Sequence, residues 1–249
     1  SRGLATLEKY VSGTEFSSYE DFKKNLKIII PKNFNFGFDI VDGYAKESPN
    51  KRALVWCNDK GDSRTFTFGE LSEISNRIVN FLRAVGISKG DPVMLILKRR
   101  WEFWATMVAL HKLGAVAIPA THLLTPKDIV YRTGRADIKM IIACDDERVL
   151  DAVDEAEKDS PTLQHKAVIR MSRPGWHSFD EAVAKASPVF ERKLTGPEAT
   201  QNEDMMLLYF TSGTTGMPKM VHHDFAYPLG HILTAAFWQN VQDDGLHLT

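Results

Sequence analysis

Val93-Met94-Leu95-Ile96-Leu97 is an unbroken apolar run. Glu102 to Leu113 follows at helical spacing, then Gly114, then a second run at Val116-Ala117-Ile118 closed by Pro119. A strand with one wet face alternates apolar and polar residues. An unbroken run belongs to a strand buried on both faces, the usual state in a parallel sheet covered by helices. The reading extends in both directions. Upstream, Leu71, Ile74, Ile78, Leu82 and Val85 recur at three- and four-residue spacing, a helix with one buried face that Gly86 stops. Before it, Ala53 to Cys57 reads as a short strand and Asn58 to Asp62 as a polar turn. Downstream, Thr125 can cap a helix whose first position, Pro126, has no N–H to leave unpaired. Lys139 to Ala143 reads as a strand, Glu147 to Lys158 as a helix, and Ala167 to Met171 as a strand. Ser178 with Glu181 is a second capping signature, and Met205 to Phe210 is a last apolar strand. Strands alternating with helices in this way predict an α/β fold, a mostly parallel sheet with helices on both faces.

Three parts are expected along the chain. Residues 1–45 form an N-terminal lead-in, with Pro31 to Phe36 loop-like and held down by its aromatics, and Asp39 to Lys46 helical. Residues 46–195 form a first α/β subdomain. Residues 196–249 begin a second, with Leu194 to Asp204 as the linker. The 249 residues are 43% hydrophobic and 25% charged with a formal net charge of -1, ordinary values for a chain with a sizeable core. No dense Lys/Arg block points to nucleic acid, and no apolar run approaches the roughly 20 residues a membrane-spanning helix needs. The two cysteines, Cys57 and Cys144, belong to no ligand cluster and read as small buried side chains in a reducing, cytoplasmic setting.

The chemistry sits at Tyr209-Phe210-Thr211-Ser212-Gly213-Thr214-Thr215-Gly216-Met217-Pro218-Lys219. Here a strand runs into two glycines, four hydroxyls and a lysine. Glycines let backbone N–H groups approach an anion closely, hydroxyls add donors, and Lys219 adds a full charge. The spacing is not that of a Walker loop, which needs four residues between its glycines and a lysine directly after the second. On residue chemistry alone, a phosphate loop and a Ser/Thr/Gly surface turn both remain open.

Thr211 to Lys219 resembles the signature loop of the adenylate-forming superfamily, which includes acyl-CoA synthetases, luciferases and peptide-synthetase adenylation domains. Leu110 to Pro119 is similar to that superfamily's earlier packing motif. Pro31 to Phe36, Arg99 to Trp104, Ile118 to Thr121 and Asp128 to Arg132 resemble the medium-chain acyl-CoA synthetase branch. The resemblance implies the N-terminal part of an acyl-CoA synthetase-like fold. It also implies an AMP-forming ligase that joins a carboxylic acid, medium-chain or aromatic, to CoA with ATP and magnesium. Acetate as the acid, a carrier protein as acceptor, or a non-catalytic nucleotide-binding module are the alternatives. Thr211, Ser212, Gly213, Thr214, Thr215, Gly216, Met217, Pro218 and Lys219 would wrap the β- and γ-phosphates, with Lys219 catalytic and no metal-ligating residue named. In the branch a helix follows this loop. The family's adenine, ribose and acid motifs do not occur before Thr249, so the chain by itself is expected to be inactive. Oligomerisation is left open.

Other residues have plainer readings. His222 and His223, adjacent on a helix, would point about 100° apart and share no ion. Trp101 and Trp104 read as core rather than a cofactor platform, and Leu123 and Leu124 as ordinary burial, with the lining of an acyl channel as the alternative. Arg99 and Arg100 follow a strand's C-terminal end, where open parallel sheets bind ligands. A CoA phosphate and plain solvent are both open as their partners.

Overall fold

The computed structural model describes residues 7–212, 216–242 and 245–248. Two short helices, α1 (Tyr19–Asn25) and α2 (Gly43–Glu47), lie in and just after the lead-in, with a π-helical turn at Gly37–Asp42 between them. A separate hairpin follows, β1 (Arg52–Cys57) against β2 (Ser63–Thr67), antiparallel. The main body then runs α3 (Phe68–Ala84), β3 (Pro92–Ile96), α4 (Trp101–Leu113), β4 (Val116–Pro119), α5 (Pro126–Ala136), β5 (Met140–Ala143), α6 (Glu147–Glu157), β6 (His165–Val168), β7 (His177–Ser178) and α7 (Phe179–Lys185). Beyond the connector come β8 (Met205–Thr211), β9 (Lys219–Asp224), α8 (Tyr227–Gly230) and a π-helical turn at Leu233–Trp238.

Seven strands form one sheet in the order β7-β6-β5-β3-β4-β8-β9, parallel except for β9. The chain steps from β3 to β4 in one direction and from β4 back across β3 to β5 in the other. Right-handed crossovers therefore put α4 and α5 on opposite faces. The helix contacts agree: α3 packs on α4 and α7, and α5 on α6. Every residue of β5 and nearly all of β3 are buried, as an unbroken apolar run requires of a strand covered on both faces. The caps act as their residues dictate. Thr125 and Asp128 form a reciprocal capping box on α5, and Gly114 ends α4 at φ 80°. A Cβ on Gly114 would lie 2.9 Å from Thr200 Cγ2, so side-chain bulk is excluded there as well as conformation.

Asn35 joins the lead-in to this body. Its side chain is fully buried, and Nδ2 donates to the His111 carbonyl at 2.7 Å and to Thr200 Oγ1 at 3.2 Å. Its Oδ1 accepts from Gly37 N at 3.0 Å. One amide thus ties the lead-in, the end of α4 and the segment entering β8. Alongside it, Asn202 accepts from Phe34 N and donates to the Pro31 carbonyl, and Arg192 clasps Asp39.

Several expectations need correction. A strand, β9, follows Lys219 where a helix was expected, so His222 and His223 point to opposite faces of a strand; they still do not converge on one ion. β6 begins earlier than Ala167 and ends at Val168, because Arg170 turns the chain away at φ 61° and its N–H is captured by Asp180. Ser178 sits at the N-cap of α7 but its side chain makes no capping bond. Cys57 is exposed, on the two-stranded hairpin outside the main sheet, while Cys144 is buried. Trp104 and Leu123 are exposed rather than core. Trp104 instead packs edge-on against its neighbour Phe103.

Two outcomes follow from the core. Asn35→Ala leaves several buried polar groups without partners and should lower unfolding stability by about 2–4 kcal/mol, read from the denaturant midpoint. His111, on α4, is 7% exposed between Phe36 and Phe225, and neither ring nitrogen has a hydrogen-bonding partner among the described residues. Burial pushes its imidazole down to about 4 from an ordinary 6.5. Between those values the unfolded chain binds the proton and the folded one does not. Titration of His111 therefore takes nothing from stability above pH 6.5 and removes roughly 3 kcal/mol as pH falls to the folded value and below. Stability measured against pH should show that loss, and His111→Phe should flatten it.

Candidate functional site

β8 carries Met205 to Thr211 to the edge of the parallel sheet, where Ala117 of β4 pairs with Leu207. Being parallel to β3 and β4, β8 delivers its C-terminal end to the same edge as theirs, the edge at which open α/β sheets bind ligands. β9 returns antiparallel, with Phe210 opposite Met220 and Thr211 opposite Lys219 as the last pair. Residues between those partners form the hairpin loop. Gly213, Thr214 and Thr215 lie outside the described residues. Ser212, Gly216 and Met217 are exposed, and Pro218 is half-buried.

Pro218 precedes the strand and has no N–H to donate. Lys219 is the first residue of β9, exposed, with Thr211 directly across from it on the same face. Thr211 Oγ1 donates to the Lys219 carbonyl at 3.4 Å. Among the described residues no carboxylate lies within ion-pair distance of the Lys219 ammonium, so its charge is free for an incoming anion. The same strand face carries an aromatic series: Tyr209 meets His223 at 6.0 Å, and His223 meets Tyr227 at 3.9 Å between ring centroids. Burial raises the Tyr209 phenol, which stays protonated. Sequence reading passed over this series because its members touch only once β9 pairs with β8.

The opposite face of the hairpin rests on α5. Tyr131 Oη donates to the Pro218 carbonyl at 2.9 Å, and the Arg132 guanidinium lies over the Phe210 ring at 5.2 Å. Arg132 is held by Asp128, whose carbonyl accepts from Nη1 at 3.1 Å.

Beside the hairpin, a crevice of about 270 Å³ opens between the ends of β3 and β4, lined by Leu97, Lys98, Phe103, Ala120, Thr121 and His122. This is the switch point of the sheet, since the connections leaving β3 and β4 diverge to opposite faces. Lys98 at its rim pairs with Asp146, Arg100 pairs with Asp145 at 2.7 Å, and Arg148 donates to the His122 carbonyl at 3.3 Å. Arg99 has no ion-pair partner among the described residues. A larger cavity, about 410 Å³, opens at the other end of the sheet. Its cations are largely spent, Lys89 on Asp204, Lys112 on Asp42 and Arg83 on Glu198. The unspent Lys219 charge and the switch-point crevice place the candidate site at the C-terminal edge instead. Among the described residues no group of three or more His, Cys, Asp or Glu is gathered to hold a metal ion, and no helix is long and apolar enough to cross a membrane.

The chain is similar to known proteins in sequence and in fold. Rat "Acyl-coenzyme A synthetase ACSM4, mitochondrial" is 38% identical over 217 residues, covering 84% of this chain and 36% of the relative. Human "Acyl-coenzyme A synthetase ACSM3, mitochondrial" is 35% identical over 245 residues, covering 95% of this chain and 41% of the relative. The chain thus spans about two fifths of the length of these relatives. Among solved structures, the anthranilate CoA ligase AuaEII in complex with anthranoyl-AMP superposes with a TM-score of 0.71 at 26% identity, over 84% of this chain and 38% of its own. An acyl-CoA synthetase from Brucella canis gives 0.69 at 27% identity, over 81% of this chain and 35% of its own. The cytoplasmic expectation is overturned, because these curated relatives are named as mitochondrial. Two cysteines outside any disulfide do not tell one compartment from another. A family model described as AMP-binding enzyme matches residues 41–248, and the chain belongs to that family.

Proposed function

We propose that the protein carrying this chain is an AMP-forming acyl-CoA synthetase, and that residues 211–219 hold the phosphates of ATP. The observation that carries the reading is the β8–β9 hairpin: an exposed lysine with no carboxylate beside it among the described residues, across from a threonine, at the edge where parallel sheets bind ligands. In this reading a carboxylate oxygen attacks the α-phosphorus of ATP and pyrophosphate leaves. The CoA sulfur then attacks the acyl carbonyl and AMP leaves. Lys219 and the hydroxyls of Thr211, Ser212, Thr214 and Thr215 take up the charge on the departing pyrophosphate, with the backbone of Gly213, Gly216, Met217 and Pro218 shaping the loop. That contribution is positioning and charge stabilisation. Magnesium is proposed as the companion ion of ATP, where it would neutralise part of the phosphate charge, and no step passes through it.

A medium-chain or aromatic acid is the proposed substrate. The aromatic option draws support from the neighbour solved with anthranoyl-AMP. CoA is the proposed acceptor, with the β3–β4 crevice and Arg99 as the surface for its charged end. The division into residues 1–45, 46–195 and 196–249 is likewise a proposal, supported by the connector between α7 and β8, which has neither helix nor strand.

Lys219→Ala in the full-length protein tests the assignment. ATP–pyrophosphate exchange should fall by about 10²–10³, while CoA-thioester formation from a supplied acyl-adenylate stays near the wild-type rate. Equal loss in both half-reactions would remove Lys219 from the pyrophosphate side.

A further inference from the structure

We infer that Tyr131 is a positioning residue for the phosphate loop, holding its exit through the Pro218 carbonyl; the inference rests on the reading of residues 211–219 as that loop. The requirement starts from Pro218. The β8–β9 pairing ends at Thr211 and Lys219, directly after Pro218, and among the described residues no backbone N–H bonds the Pro218 carbonyl. Tyr131 Oη meets that carbonyl at 2.9 Å, at the peptide that leads directly into Lys219. Fixing this peptide fixes the direction in which the Lys219 side chain leaves the backbone. Among the described residues it is the one side-chain hydrogen bond from the body of the protein to residues 212–218.

The tyrosine is itself held firmly. Thr125 and Asp128 cap α5 reciprocally, and the buried Ile129 and Thr133 seat the helix, with Thr133 Oγ1 2.8 Å from Ser160 Oγ. Arg132, next in sequence, lies over Phe210 at 5.2 Å, and the Tyr131 ring meets Phe210 edge-on at 6.3 Å. The same helical turn therefore grips both flanks of the loop, Phe210 on entry and Pro218 on exit. Tyr131→Phe keeps the ring contact and removes only the hydroxyl, so it isolates the hydrogen bond.

Two measurements on the full-length protein separate this inference from the proposed function. The first needs no activity. Amide hydrogen exchange at Gly216, Met217 and Lys219 should quicken about five- to tenfold in Tyr131→Phe, the factor set by one hydrogen bond of ordinary strength. Amides of α5 and the melting temperature should not move. Unchanged exchange at the loop would overturn the inference. The second is the ATP–pyrophosphate exchange reaction, in which KM for ATP should rise by a similar factor while KM for the acid stays constant. A KM increase shared equally by acid and ATP would reduce Tyr131 to a structural residue and overturn its positioning role. Faster loop exchange in a wild-type background that shows no pyrophosphate exchange would uphold the clamp and sink the function proposed for the loop.

Discussion

A single buried amide, Asn35, sets the frame on which the site depends. It lies in the lead-in, yet its hydrogen bonds reach the last turn of α4 and Thr200 in the connector. The connector has no helix or strand to stiffen it, so these bonds and the neighbouring Asn202 contacts fix where it enters β8. β8 meets β4 at a single registered pair. Small errors at the connector would shift β8 along β4 and carry the hairpin loop with it. Gly37 belongs to the same constraint: a Cβ there would sit 2.6 Å from Lys112 Cγ and 3.1 Å from the Val108 carbonyl, so the lead-in can approach α4 this closely only with glycine.

The site itself combines two physical elements. The strand pair ends at Lys219, exposed at the sheet edge, while a helix on the opposite face holds the carbonyl of the preceding proline. The hairpin is thus anchored on one face and open on the other. Like several surface lysines, Lys219 makes no ion pair among the described residues, whereas lysines drawn into the body do. Lys89, Lys98, Lys112, Lys139 and Lys166 are each paired with a carboxylate, and Lys166 with two. Lys219 is not among them.

Much of the fold was legible because burial leaves a local signature. The runs that became β3, β4 and β5, the periodic faces of α3 and α4, and the Thr125-Pro126 entry to α5 all declare themselves within a few residues. What was missed depends on contacts between distant segments. β9 is mostly exposed and polar, and it is a strand only because β8 offers an unpaired edge. β2 begins Ser63-Arg64-Thr65 and carries no apolar alternation, yet it pairs with β1. The start of β6 escaped notice because Lys166 is buried by two carboxylates rather than by hydrophobicity. At the site, the loop and Lys219 could be read from their residue types. Tyr131 could not, since nothing in its own segment indicates that its hydroxyl will meet a proline carbonyl far along the chain.

The central claim is that the β8–β9 hairpin, rather than the β3–β4 crevice, holds the phosphates of ATP. The most direct measurement is a crystal structure of the full-length protein with a non-hydrolysable ATP analogue. The account predicts the terminal phosphates within hydrogen-bonding distance of Lys219 Nζ and Thr211 Oγ1, with the Tyr131–Pro218 bond kept. Terminal phosphates seated in the crevice against Lys98 and His122, with the hairpin making no contact, would contradict it.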